Sequence, residues 1–133
     1  MKSADVSKNY QSWGRFPASS HVAVEHVAWR HDLPDIENFE HSVLPFGYGR
    51  SYGDSCLNND GVLLDMTGLR HMISFDTENG ILCCEAGVSF AEILDFIVPR
   101  GWFIPGTPGT KFVSVGGSIA NDVHGKGHHQ DGT

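Results

Sequence analysis

Leu44-Pro45-Phe46-Gly47-Tyr48-Gly49-Arg50-Ser51-Tyr52-Gly53-Asp54-Ser55 is the stretch on which the fold turns. It begins as the end of a brief apolar run, Ser42 to Phe46, that reads as a strand, and continues as a loop with glycines spaced G-x-G-x-x-x-G. That spacing is one residue too long for the dinucleotide fingerprint, and a turn follows where an amphipathic helix would be needed, so a Rossmann reading fails twice. No G-x-x-x-x-G-K-[ST] string occurs, which removes the nucleoside-triphosphate loop. Closely spaced glycines let successive amides converge on an anion, yet simple turns use the same residues. Arg50 could neutralise a phosphate, sit in solvent or pair with Asp54, and Ser51 and Tyr52 add hydroxyl donors.

Upstream, residues 1–20 are polar and read as an arm laid over a surface, with Trp13 and Phe16 as its large apolar anchors. His21 to Arg30 reads as one strand or two short ones, and Pro34 suits the first turn of a short helix over 34–40, with Asp32 as its cap. Downstream, Asn58-Asn59-Asp60-Gly61 is a turn signal. Val62 to Met66, His71 to Phe75 and Ile81 to Ala86 then read as the strands of a β-meander, the last two joined at Glu78-Asn79-Gly80. The clearest helix starts at Ser89, whose hydroxyl and Glu92 make a capping box. Phe90, Ile93, Leu94 and Ile97 recur on one face before Pro99 and Gly101.

A second glycine cluster, Val115-Gly116-Gly117-Ser118-Ile119-Ala120-Asn121, follows Pro108-Gly109-Thr110 and reads as a ligand-facing loop leading into a short helix. Bare glycines there let amides approach an anion; close helix-to-strand packing wants the same small residues, and the pattern does not separate the two. His124, His128 and His129 raise the question of zinc, but Gly125 and Gly127 disfavour a helix and Gly125 stands where H-E-x-x-H needs its Glu. No metal site is expected.

The chain has 133 residues, room for one domain and one core. Its 9 Lys plus Arg against 16 Asp plus Glu give a net charge of −7, which argues against nucleic acid or an anionic membrane surface as partner. No apolar window is long enough to span a membrane, and the first residues lack the apolar core of a signal peptide, so a cytoplasmic location is expected. Three cysteines, with Cys83 and Cys84 facing opposite sides of one strand, make a disulfide framework improbable.

Taken in order, LPFGYGRSYGDS, LLDMTGL, EAGVSFAEIL and PGTKFVSVGGSIANDVHGKGHH resemble the front of an FAD-linked oxidase with the vanillyl-alcohol-oxidase (p-cresol-methylhydroxylase) type of flavin fold, over about residues 20–133. The resemblance implies an α+β fold: a small N-terminal β-α-β subdomain, then the start of a second, mixed or antiparallel subdomain. It implies that Phe46, Gly47, Tyr48, Gly49, Arg50, Ser51 and Tyr52 line the FAD diphosphate. Pro108, Gly109, Thr110, Ser114, Gly116, Gly117, Ala120 and Asn121 would contact the flavin and its ribityl chain. His124, Gly125 and His128 would lie against the isoalloxazine, with His124 and Lys126 as the candidates to orient substrate. Arg50 stands where some relatives carry a tethering histidine, so non-covalent FAD is expected. The chemistry implied is hydride transfer from an alcohol or sugar carbon to the flavin.

Such oxidases run to several hundred residues, so residues 21–133 are expected to be a partial FAD-binding domain, inactive alone, behind an arm at 1–20. Self-association through the face left open, or disorder after about Ile119, would follow. The alternative is a flavin-free binding or assembly module that keeps only the fold.

Overall fold

The computed structural model describes residues 10–132, with the side chain of Asp131 left aside, and divides into two compact units, Met1–Gly68 and Leu69–Thr133. Each unit buries its own apolar set, so the single core expected from length is two smaller ones.

Among the described residues three strands build the first unit: β1 (Ala23–His26), β2 (Val43–Phe46) and β3 (Val62–Asp65). All pair in parallel in the order β1-β3-β2, with Val24 and Leu44 both opposite Leu63, and His26 and Phe46 both opposite Asp65. β3 is therefore central, and all four of its residues are buried. This corrects the expected meander. Val62-Leu63-Leu64 is a continuous apolar run rather than an alternating one, the signature of a strand covered on both faces. Parallel neighbours need long crossovers, and the glycine loop together with the Asn58 turn is the one joining β2 to β3. Asn58 fixes that turn through its amide, which donates to the Ser42 and Val62 carbonyls at 2.8 and 3.0 Å.

Two further expectations change. The helix foreseen over 34–40 is a single 3-10 turn, Ile36–Asn38, capped by Asp35 rather than Asp32. None of its three residues is buried, so nothing holds a longer helix in place. Trp13 and Phe16 do not anchor the arm, being 60% and 80% exposed. Tyr10 and Ser12 do so instead, the Tyr10 hydroxyl donating to Asp65 at 2.8 Å and Ser12 being buried.

The second unit opens with an antiparallel hairpin, β4 (Met72–Asp76) and β5 (Ile81–Cys84), closed at the expected Glu78-Asn79-Gly80 turn. Cys84 packs on the core while Cys83 is exposed, which realises the opposite-face reading, and all three cysteines are free thiols. Helix α1 (Phe90–Ile97) carries the complete capping box. Glu92 accepts from the Ser89 amide at 2.9 Å and Ser89 Oγ accepts from the Glu92 amide at 3.2 Å. A cap of this kind contributes about 1 kcal/mol. Burial alone would raise the Glu92 carboxyl, but Ser89 and Arg70 outweigh it and hold the group below its ordinary value. The face predicted from the periodicity is the buried one: Ile93 and Ile97 join Val88, with Phe75, Leu82, Phe96 and Trp102 packed around them. Two short helices complete the unit, α2 (Val115–Ala120) and α3 (His128–Asp131). The α+β class is as expected.

Candidate functional site

In parallel sheets ligands collect outside the carboxyl ends of the strands. Here those ends are His26, Phe46 and Asp65, held side by side by register. A cleft of about 620 Å³ opens there within the first unit. One wall is Phe46, Gly47, Tyr48, Gly49 and Arg50; the other is the arm, Tyr10 to Trp13 with Arg15; Asp65 and Thr67 complete the lining.

The loop wall has the shape that an anion site requires. Gly49 is buried with φ +61°, a conformation that costs a residue with a side chain, and a Cβ there would strike the Gln11 carbonyl and lie 2.9 Å from the Phe46 ring. Among the described residues, the main-chain amides of Gly47, Gly49 and Arg50 donate to no other group. Arg50 does not pair with Asp54; its guanidinium lies 5.4 Å from the centre of the Trp13 ring. Of the seven residues expected around a diphosphate, Ser51 and Tyr52 stand outside the lining. The Ser51 carbonyl instead receives the Trp13 amide at 3.0 Å, and Tyr52 is exposed.

Asp65 is the structural hub beside this wall. It accepts from the Thr67 amide and hydroxyl at 2.9 and 2.5 Å and from Tyr10 at 2.8 Å, with the His26 imidazole 3.1 Å away. Burial pushes its carboxyl up, but these donors and His26 outweigh burial and hold it below the ordinary carboxylate value. Burial and the same carboxylate push the Tyr10 phenol up to about 12, so that it remains a donor throughout the neutral range. Because Asp65 is depressed in the folded state, its contribution is complete above the unfolded value near 3.9 and is lost as pH falls through the folded one. Acid titration of stability should therefore show a loss beginning below about pH 4. Asp65→Asn should flatten that loss and lower the plateau above it; an unchanged acid limb in the variant would contradict the assignment.

The second predicted set lies wholly in the other unit, and most of its donors are already committed. The amides of Val115 and Gly116 donate to the carbonyls of Val88 and Ala86 at 2.9 and 2.8 Å, and that of Gly117 to Ser114 Oγ at 3.1 Å. A Cβ at Gly116 would meet the Ala86 Cβ at 3.0 Å, so this glycine serves close packing, the second of the two readings its sequence left open. Asn121 is tied back to the Gly117 carbonyl at 2.7 Å. Thr110 accepts from the Phe112 amide at 3.2 Å, while Pro108 is half-buried and Gly109 and Ala120 are exposed.

Gly125 packs against Thr107, where a Cβ would come 2.6 Å from the carbonyl oxygen, and this sets the 125–128 turn beside the Pro108 segment. His124 and His128 have ring centres 4.7 Å apart. Their Nδ1 atoms face the carbonyls of Asp122 and Gly125 at 3.1 and 3.0 Å. A carbonyl only accepts, so in each pair the Nδ1–H is the donor, and both rings are exposed. Lys126 is exposed. Among the described residues no three His, Cys, Asp or Glu come together as a metal site, and no helix is long and apolar enough to cross a membrane.

Sequence reading missed the arm wall and Asp65. The signals were present: a Trp-Gly-Arg string in an otherwise polar arm, and an Asp ending a wholly apolar strand.

A family model described as FAD binding domain matches residues 33–133. Decaprenylphosphoryl-beta-D-ribose oxidase of Mycolicibacterium smegmatis is 41% identical over 91 residues, covering 68% of this chain and 20% of that protein. A probable mitochondrial D-2-hydroxyglutarate dehydrogenase of Oryza sativa is 33% identical over 86 residues, covering 63% of this chain and 15% of the relative. Among solved structures, alkyldihydroxyacetonephosphate synthase aligns with a TM-score of 0.58 at 19% identity, over 68% of this chain and 18% of that one, a likeness of fold alone. The chain thus spans a fifth or less of the length of the proteins it matches.

Proposed function

The chain belongs to the FAD binding domain family, and from that premise we propose that it is the FAD-binding portion of a flavin-dependent oxidoreductase that oxidises an alcohol or sugar hydroxyl. One observation carries the reading: Gly47, Gly49 and Arg50, whose amides are unspent among the described residues, line one cleft of the first unit together with Arg15. Amide nests and guanidinium groups are the donors that diphosphates bind. The residues present fit that part of the cofactor, since the bare, buried turn at Gly49 leaves main-chain donors uncovered.

Bound FAD would supply the hydride acceptor. The chain's own residues bind and orient. Phe46 to Arg50 hold the diphosphate, with Ser51 and Tyr52 fixing the loop behind them. Pro108, Gly109, Thr110, Ser114, Gly116, Gly117, Ala120 and Asn121 shape the flavin and ribityl contacts, with Gly116 acting through packing. His124, Gly125 and His128 back the ring, and His124 and Lys126 orient the substrate hydroxyl. Arg50, in place of a tethering histidine, supports non-covalent attachment. The alcohol or sugar substrate rests on the relatives, whose names denote oxidation of a ribose and of a 2-hydroxy acid. A cytoplasmic location belongs to the same proposal.

Titration of FAD into the protein tests it. Saturable quenching of flavin fluorescence is expected, with a stabilisation of about 2.7 kcal/mol at a ligand excess of ~100 Kd. Acid precipitation should release all flavin into the supernatant. Absence of saturable quenching would favour the flavin-free module, and flavin retained on the precipitate would overturn non-covalent attachment.

A further inference from the structure

The family match starts at residue 33, yet an entire wall of the cleft comes from the arm upstream of it. We infer that the arm segment Tyr10 to Arg15 is an integral part of the diphosphate site and that Arg15 is its second cation, beside Arg50. This deepens the function proposed above and rests on it.

The arm is docked at several points. Tyr10 is bonded to Asp65 and packs edge-to-face on Phe46 with ring centres 5.2 Å apart. The Trp13 amide reaches the Ser51 carbonyl, and the Gln11 carbonyl fills the space that a side chain at position 49 would need. The chain then turns sharply, the Arg15 amide donating to the Ser12 carbonyl at 3.1 Å, and Arg15 takes φ +55°. That is an uncommon conformation for an arginine. It sets Arg15 on the lining of the cleft that Arg50 also lines.

Charge identifies what the two arginines would bind. Among the described residues neither guanidinium has a carboxylate partner. Asp65, the one carboxylate among the described lining residues, already accepts from Tyr10 and Thr67. Two cations without a described carboxylate partner and three loop amides match a ligand with two adjacent negative charges, as a diphosphate diester has. A phosphate on the substrate would offer related chemistry, so the test separates the two.

FAD and ADP are titrated into the wild type, Arg15→Ala and Arg15→Gly. We expect both variants to bind each ligand about tenfold more weakly, a loss that shrinks as salt rises. ADP should compete with FAD. Arg15→Gly relaxes the backbone, so its melting temperature should hold or rise while affinity falls; a merely structural arginine would move both together. FAD affinity within twofold of wild type in both variants overturns the inference and leaves the proposed function standing. Arg15-dependent ADP binding to FAD-saturated protein would assign the cation to a substrate phosphate and also overturn it. Arg15-dependent ADP binding without any flavin quenching would sustain the diphosphate site and overturn the flavin reading. Binding of neither ligand to the wild type overturns both.

Discussion

Leu63→Ala is expected to destabilise the protein by about 3 kcal/mol, the middle of the ~2–5 kcal/mol range for truncating a fully buried leucine. Leu63 has no solvent exposure and lies in the central strand of its sheet, with Val24 and Leu44 on either side. Flanked on both sides, the site has little room to collapse, and the cavity cost adds to the lost transfer energy. A unit of fewer than 70 residues has a total stability of only about 3–10 kcal/mol, so this one change removes a large share of it. In urea, with a slope near ~1 kcal/mol/M for so small a unit, the tryptophan fluorescence midpoint should fall by about 2 M or more. Cys83→Ser, on an exposed position of the hairpin, should shift it by less than about 0.3 M. A small shift for Leu63→Ala would mean that β3 is not the centre of a parallel sheet.

Elements whose cause is local were legible in the sequence. The Ser89–Glu92 box, the apolar face of α1 and the Gly80 hairpin are written within eight residues or fewer, and they form where expected. Strand pairing was not legible in the same way. Val62-Leu63-Leu64 marks a strand, but whether it pairs with the hairpin that follows or with two earlier strands is decided by crossovers of fifteen residues or so. The same distance hid the arm. Tyr10 reads as one more polar residue until Asp65, 55 positions later, is brought to it. At the glycine clusters the sequence left two readings open, and hydrogen-bond partners separate them. Gly116 faces Ala86 and its amide is spent there, whereas the amides of Gly47 and Gly49 reach no other described group. Glycine content alone carries no information about where the N–H points or what receives it.

Gly49→Val should cut FAD affinity by at least about 100-fold, equivalent to ~2.7 kcal/mol, and should release the arm. Two penalties act together. A β-branched residue at φ +61° is an outlier in itself, costing about 1–2 kcal/mol. The added carbons would also overlap the Gln11 carbonyl and press on the Phe46 ring, so either the arm lifts or the loop turns over. Each outcome removes one wall of the cleft, which makes the effect on binding larger than the effect of strain. Gly53→Ala separates the two penalties, since Gly53 has φ +59° but nothing within 4 Å of its Cβ direction. It should cost stability through strain while leaving FAD affinity within about threefold, because ~0.6 kcal/mol is all that an uninvolved position should transmit. Released arm residues should become sensitive to cleavage at Arg15 in Gly49→Val and stay protected in Gly53→Ala under limited trypsin. If Gly53→Ala loses flavin as severely as Gly49→Val, backbone strain rather than the arm contact governs the loop. If Gly49→Val binds FAD like the wild type, the nucleotide does not sit against this turn at all.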